Sequence, residues 1–192
     1  MNVKQLWHTD EFTSILKEQQ LINENLCEVK SMYSFISIGT EKLVITKQIS
    51  LPAWDFMRVP YMKGSFNLPC TYGYSLVGSI ISDKTDLPSG TIVHLMHPHQ
   101  DYVSVTADCL TPIHSLPPKR ATLIANMETA LNACWDVQIK NGSNVLIAGY
   151  GIIGALLARL LTKEFCCKVA ILEINESRIA LLNEHGYDVA AN

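Results

Sequence analysis

The chain has 192 residues, 48% of them apolar and 17% charged, with a net charge of -3 and a pI near 6.0. That composition excludes a disordered chain, and the length holds one large domain or two small ones. It offers no basic footprint for nucleic acid, no apolar run of the ~18–20 residues that a membrane span needs, and no apolar stretch of signal-peptide type in the first twenty residues. Six cysteines stand at 27, 70, 109, 134, 166 and 167, with no C-x-x-C pair and two of them adjacent. These features predict a cytoplasmic protein with reduced thiols, its cysteines mostly core filler, and neither nucleic acid nor membrane as partner.

Residues 1–116 carry short apolar runs between turn signals: LCEVKSMYSFISI, YSLVGSII, GTIVHLM, DYVSVTA and CLTPIHSL. Long helical periodicity is missing, and the pattern predicts a barrel-like antiparallel β domain. Pro52, Pro60 and Pro69 break the stretch between 50 and 70 into irregular loop, and DLPSG at 86–90 marks a turn feeding a strand near Thr91. Residues 117–142 read as a helical bridge. Pro117 and Pro118 stand where helix starts tolerate proline, and Leu123, Ala130, Leu131, Ala133, Cys134 and Val137 recur at helical spacing, as one broken helix or two short ones.

From 143 to 192 strand and helix alternate. Residues 144–149 and 168–173 read as buried strands, 152–163 and 176–185 as helices, and 187–191 as the start of a third strand. Near-continuous apolar strands joined by helices predict a parallel sheet covered on both faces.

One motif in this region carries specific chemistry. Gly149-Tyr150-Gly151-Ile152-Ile153-Gly154 spells G-x-G-x-x-G between a strand and a helix, and Glu173 lies 19 residues after Gly154 at the end of the next strand. That context is a dinucleotide fingerprint. Gly149 permits the tight turn, Gly151 lets backbone approach a pyrophosphate, and Gly154 allows close helix–strand packing. The helix N-terminus, through the N–H groups at Ile152 and Ile153, faces the phosphates. Glu173 is placed to accept from both ribose hydroxyls, and its charge repels a 2′-phosphate, so NAD is favoured over NADP. Arg178, five residues on, either contacts the adenosine ribose or is a solvated helix arginine, and an arginine there can also accept a 2′-phosphate.

The whole chain resembles the medium-chain dehydrogenase/reductase superfamily, through SIGTE at 37–41, GYSLVG at 73–78, SGTIVHL at 89–95 and METAL at 127–131 ahead of NGSNVLIAGYGIIG. GTE, GYS and PHQDY place it nearest the zinc-less relatives of the bacteriochlorophyllide dehydrogenases. The resemblance implies α/β plus β architecture: a GroES-like β-barrel domain followed by the first half of a Rossmann domain. The positions that hold zinc ligands in the zinc members carry Ile38, Tyr74, Ser75 and a residue near Ala125, and no clustered cysteines stand between 75 and 115. Isoleucine and alanine cannot coordinate zinc, so no metal is expected in either family site.

The implied function is zinc-independent, NAD(P)-dependent hydride transfer to or from a carbonyl, alcohol or enone small molecule. Thr40 matches the hydroxyl that relays the substrate proton in the zinc enzymes, or is a turn residue bonding local backbone. Tyr74 either donates to a carbonyl oxygen or packs in the barrel, and Glu41 takes a neighbouring acidic position. Thr129 resembles a residue near the nicotinamide, or is an ordinary helix threonine. His94, His97 and His99 read as loop or active-site-edge histidines rather than metal ligands, with His99 or Asp101 a candidate proton shuttle.

A dinucleotide-binding sheet has two βαβαβ halves, and the sequence supplies one. The chain is therefore expected to be a fragment of a parent that forms a homo-oligomer. The alternative is a non-catalytic nucleotide-binding protein or an inert remnant. An exposed sheet edge at YDVAA and apolar helix faces carrying Leu156, Leu160, Leu181 and Leu182 predict poor solubility or self-association of the chain alone. The chain alone is also expected to be inactive with any nicotinamide cofactor, keeping at most weak affinity for the adenosine-diphosphate portion.

Overall fold

The computed structural model describes residues 2–20, 26–82 and 84–190. The fold is mixed α and β, and its contacts divide the chain into two compact units, Met1–Ile124 and Ala125–Asn192.

The first unit is built on a five-stranded antiparallel sheet. Its strands are β3 (Cys27–Ser34), β4 (Leu76–Ile80), β5 (Ile92–Leu95), β6 (Tyr102–Val105) and β7 (Thr111–Pro112), in the order β6-β3-β4-β5-β7. Alternation places Cys27 and Val29 of β3 and Val103 and Val105 of β6 inward, where they meet Leu76, Ile80, Val93 and Leu95. Each such side chain contributes about 1.5–3 kcal/mol of burial. At Gly78 the strands leave no room for a side chain, because an added Cβ would lie 2.5 Å from the Lys30 carbonyl oxygen. Ahead of the sheet, β1 (Asn2–Asp10) and β2 (Thr13–Gln20) form a hairpin whose second strand is almost wholly exposed. Its alternation is too polar to stand out in the sequence.

The apolar run 26–38 is not one strand. β3 ends at Ser34, and α1 (Ile38–Ile45) begins in SIGTE. Local chemistry starts this helix. Ser37 is the extended N-cap residue, its carbonyl accepts from Glu41 N at 2.8 Å, and Glu41 Oε1 accepts from the Ser37 N–H at 2.7 Å. Glu41 thus satisfies the N-cap amide as the acidic half of a capping box does, one residue further along, while the Ser37 side chain makes no cap bond. Between 50 and 70, where only loop is expected, a 3-10 turn at Leu51–Ala53 leads into the short α2 (Trp54–Met57). Val44 of α1 closes a smaller core with Met62, Phe66, Cys70 and Tyr72. Two helices follow, α3 (Pro118–Ala121) and α4 (Ile124–Asp136), and the helical spacing ends before Val137, which is 69% exposed.

In the second unit β8 (Asn144–Ala148), β9 (Lys168–Leu172) and β10 (Asp188–Val189) form a parallel sheet in the order β10-β9-β8. α5 (Ile152–Lys163) and α6 (Glu176–Glu184) join them. Ile147, Ala158, Leu161, Val169, Ile171 and Leu182 make the core. Leu182 therefore does not belong to an exposed apolar face. Leu156 and Leu160 are half-buried, and Leu181 is exposed. Leu146, on the open edge strand β8, is more exposed than any of these leucines. The third strand covers only Asp188 and Val189, and the expected Ala191 lies outside the described residues.

All six cysteines are free thiols, four of them buried. Among the described residues no helix is long and apolar enough to cross a membrane.

Candidate functional site

The glycine turn of the second unit sits between β8 and α5. Gly149 has φ +96°, a left-handed conformation that glycine adopts without strain, and its N–H donates to the Leu172 carbonyl at 2.7 Å. This bond ties the end of β8 to the end of β9. Gly154 packs against the start of the same turn, where an added Cβ would lie 2.0 Å from the Gly149 carbonyl oxygen. At Gly149 and Gly151 an added Cβ meets nothing within 4 Å, so the outer side of the turn is open. Gly151 is the N-cap of α5 and provides no side-chain cap. The first-turn amides at Ile152 and Ile153 thus meet an open face with the positive end of a twelve-residue helix behind them. Open backbone, uncapped amides and a nearby acidic side chain fit the phosphates and ribose of a dinucleotide.

Glu173 closes this turn from inside. The residue is only 7% exposed. Its Oε1 accepts from the Ile174 and Asn175 N–H groups, both at 2.9 Å. Its Oε2 accepts from Tyr150 N–H at 2.7 Å and from Arg178 Nη1 at 3.4 Å. These donors, the Asn175 and Tyr150 amides foremost, hold the carboxyl down at about 2. A carboxylate has about four acceptor sites, and all four are engaged. Arg178 is the longest of these contacts, and its side chain is half exposed.

Tyr150, the residue between the first two glycines, is also fixed through its side chain. Its hydroxyl pairs with His185 Nδ1 at 3.0 Å, and its ring packs near Tyr187. Asn175 caps α6 by accepting from Arg178 N–H. Asn175 stands just before the helix expected from 176, whereas nothing in the G-x-G-x-x-G pattern marks Tyr150. Thr129 lies on the exposed side of α4, its hydroxyl donating to the Ala125 carbonyl at 3.1 Å.

In the first unit, Thr40 lies in the first turn of α1 and is half-buried. Tyr74 packs against the small core of Val44, Met62, Phe66, Cys70 and Tyr72. Ile38 is 82% exposed. The hydroxyl of Ser75 donates to the Thr122 carbonyl at 2.6 Å and lies 3.1 Å from His94 Nε2.

Glu41 and His99 form a buried pair that the sequence only hinted at. His99 Nε2 meets Glu41 Oε2 at 2.9 Å, and His8 Nε2 lies 4.0 Å from the same oxygen. Burial lowers the His8 pKa, partly offset by Glu41. His97 is separate: it stacks on Tyr61 with centroids 4.9 Å apart and donates from Nδ1 to the Pro98 carbonyl. Burial pushes it down to about 4, so it is neutral at pH 7. Asp101 holds β1 in place, accepting from the Lys4 N–H at 2.8 Å. Among the described residues no group of three or more His, Cys, Asp or Glu is arranged to hold a metal ion.

No protein-family model matches the chain. By sequence it is similar to subunit 2 of the H/ACA ribonucleoprotein complex of Bos taurus, 29% identical over 96 residues, which are 47% of this chain and 58% of that protein. By structure it is similar to the quinone oxidoreductase of Coxiella burnetii, with a TM-score of 0.76 and 20% identity. That match covers 100% of this chain and 62% of the other. An alcohol dehydrogenase of Escherichia coli, solved with NADH, matches with a TM-score of 0.75 and 16% identity, over 100% of this chain and 62% of that one. The chain thus spans less than two thirds of each of these proteins, and at these identities the structural likeness is one of fold.

Proposed function

We propose that this chain, which has the fold of the medium-chain dehydrogenase/reductase oxidoreductases, comprises a GroES-like β domain and the first half of a Rossmann domain. In this reading it belongs to a zinc-independent enzyme that uses NAD in preference to NADP. The observation that carries the reading is the glycine turn closed on Glu173: an open outer face at Gly149 and Gly151, and an inner face too tight for any side chain at Gly154. That arrangement suits a pyrophosphate and an adenosine ribose.

A nicotinamide cofactor supplies the hydride when bound. The chain's own residues bind and orient. The amides at Ile152, Ile153 and Gly154 hold the pyrophosphate, and Glu173 accepts from the ribose, with Arg178 displaced toward solvent. In this reading Thr40 and Tyr74 are the hydroxyl donors to a carbonyl oxygen, stabilising the charge that develops on it. Zinc independence rests on Ile38, Tyr74 and Ala125 at the ligand positions, side chains that zinc does not accept. The partial likeness to a ribonucleoprotein subunit finds no basic charge to support nucleic-acid binding, with a net charge of -3.

Calorimetric titration of the chain with NADH, NADPH and ADP-ribose tests the binding reading, and NADH oxidation across aldehydes, ketones and enones tests the catalytic one. The expected result is tighter binding of NADH than of NADPH. Binding without oxidation is the outcome expected of the chain alone, and turnover would contradict that expectation. No affinity for ADP-ribose would overturn both.

A further inference from the structure

Ser34, His99 and Glu41 form a hydrogen-bonded series that the oxidoreductase reading does not use. Glu41 is 3% exposed, and its Oε1 is held by the Ser37 N–H. Its Oε2 accepts from His99 Nε2 at 2.9 Å. A carboxylate is an acceptor only, so this contact puts a ring proton of His99 on Nε2, and in the neutral ring Nδ1 is then the acceptor. Nδ1 faces the Ser34 hydroxyl in a short contact. The hydroxyl proton therefore points at the imidazole, and the more distant Ser75 carbonyl, at 3.4 Å, is its second choice. Gly73 seats the ring: φ is +123° there, and an added Cβ would lie 2.7 Å from His99 Nε2. Ser34 itself is exposed at the end of β3.

We propose that Ser34 is a nucleophilic serine that takes an acyl group from activated esters, with His99 as its base and Glu41 as the group that orients the base. An accessible hydroxyl, a base within hydrogen-bond reach and a third group fixing that base are the signature of an activated nucleophile. Ser34 Oγ forms a bond to the acyl carbonyl carbon while its proton passes to His99 Nδ1. The ester C–O bond breaks, and the departing alkoxide or phenolate takes that proton. Water then attacks the acyl-serine with His99 as base, which returns the serine and releases a carboxylic acid. No oxidant or cofactor enters.

Ser14 supplies an internal control. It is exposed and its Oγ lies 2.8 Å from His8 Nδ1. However, His8 Nε2 is buried without a partner, 4.0 Å from Glu41, so nothing orients that ring as a base.

The proposal does not rest on the dinucleotide reading. The full chain is treated with p-nitrophenyl acetate, nitrophenolate release is followed, and the acetyl group is located by peptide mass spectrometry. Acetylation at Ser34 and an initial burst of nitrophenolate are expected. S34A, at an exposed position, keeps the fold and loses the burst, and S14A changes nothing. H99Q slows acylation by about 10²-fold or more, the worth of a positioned base, and G73A gives the same loss by displacing the ring. Acetyl groups confined to lysines, an undiminished burst in S34A, or equal labelling of Ser14 and Ser34 would overturn the proposal.

Discussion

The amide N–H of Tyr150 donates to Glu173 Oε2 at 2.7 Å, joining two residues 23 apart in sequence. The contact fixes the turn between β8 and α5 before any ligand arrives. It also gives Glu173 two tasks, because the carboxylate proposed to meet a ribose is the same one that shapes the turn for the phosphates. A substitution there removes both at once. Arg178, Gly154 and the acid limb of stability separate them.

Gly154→Ala places a methyl group 2.0 Å from the Gly149 carbonyl oxygen. The oxygen belongs to backbone and cannot move aside cheaply. A loss of about 1–3 kcal/mol is expected, the range for overpacking a tight site. Denaturant unfolding of the variant measures it, and Gly151→Ala, where an added Cβ meets nothing, serves as the unperturbed comparison for stability.

The Glu173 carboxyl titrates at about 2 in the folded chain, below its ordinary value of 4.5. A depressed carboxyl contributes stability that is complete above the unfolded value and is lost as pH falls through the folded one. The wild-type chain should therefore lose stability relative to E173Q as pH falls from about 4.5 to about 2. Thermal melts of both proteins across that window read the difference. Parallel curves would show that the amide contacts of Glu173 do not persist in solution.

Arg178→Ala should leave the turn intact, since Tyr150, Ile174 and Asn175 still donate to Glu173. It frees one acceptor site on Oε2 and removes a cation next to the ribose position. NADH affinity should rise or hold, and NADPH affinity should fall. The ratio of the two dissociation constants checks this. A fall in NADH affinity alone would place Arg178 on the cofactor rather than in its way.

Metal content follows from the residues at the family's ligand positions. Purified protein should hold well under one zinc per chain by elemental analysis, and dialysis against chelator should leave its melting temperature unchanged. Stoichiometric zinc surviving the chelator would contradict the reading of Ile38, Tyr74 and Ala125.

Much of the second unit is legible in the sequence because its strands and helices are long apolar runs punctuated by glycine. The α5 bounds, 152–163, fall where the periodicity puts them. The first unit is less legible for physical reasons. α1 depends on a carboxylate turning back to the Ser37 amide, and neither β-branched residues nor apolar count betray that contact. In the β1–β2 hairpin, β2 is exposed on both faces. The Ser34–His99–Glu41 series brings together residues 65 and 58 positions apart. Single residues of it were readable, Glu41 in GTE and His99 in the histidine group, but their pairing comes only from the sheet that sets β3 beside the loop after β5. In the second unit Glu173 was readable as an acidic residue at strand end. Its saturation by four donors was not, because three of them are backbone amides.

The most direct test of the dinucleotide reading is an amide NMR titration of the isotope-labelled chain with ADP-ribose. Shifts should concentrate at Gly149–Gly154 and at Ile174 and Asn175, the amides that line the turn and contact Glu173, while those of β3 to β7 stay in place. No saturable shift in the turn, or shifts confined to the first unit, would contradict the account.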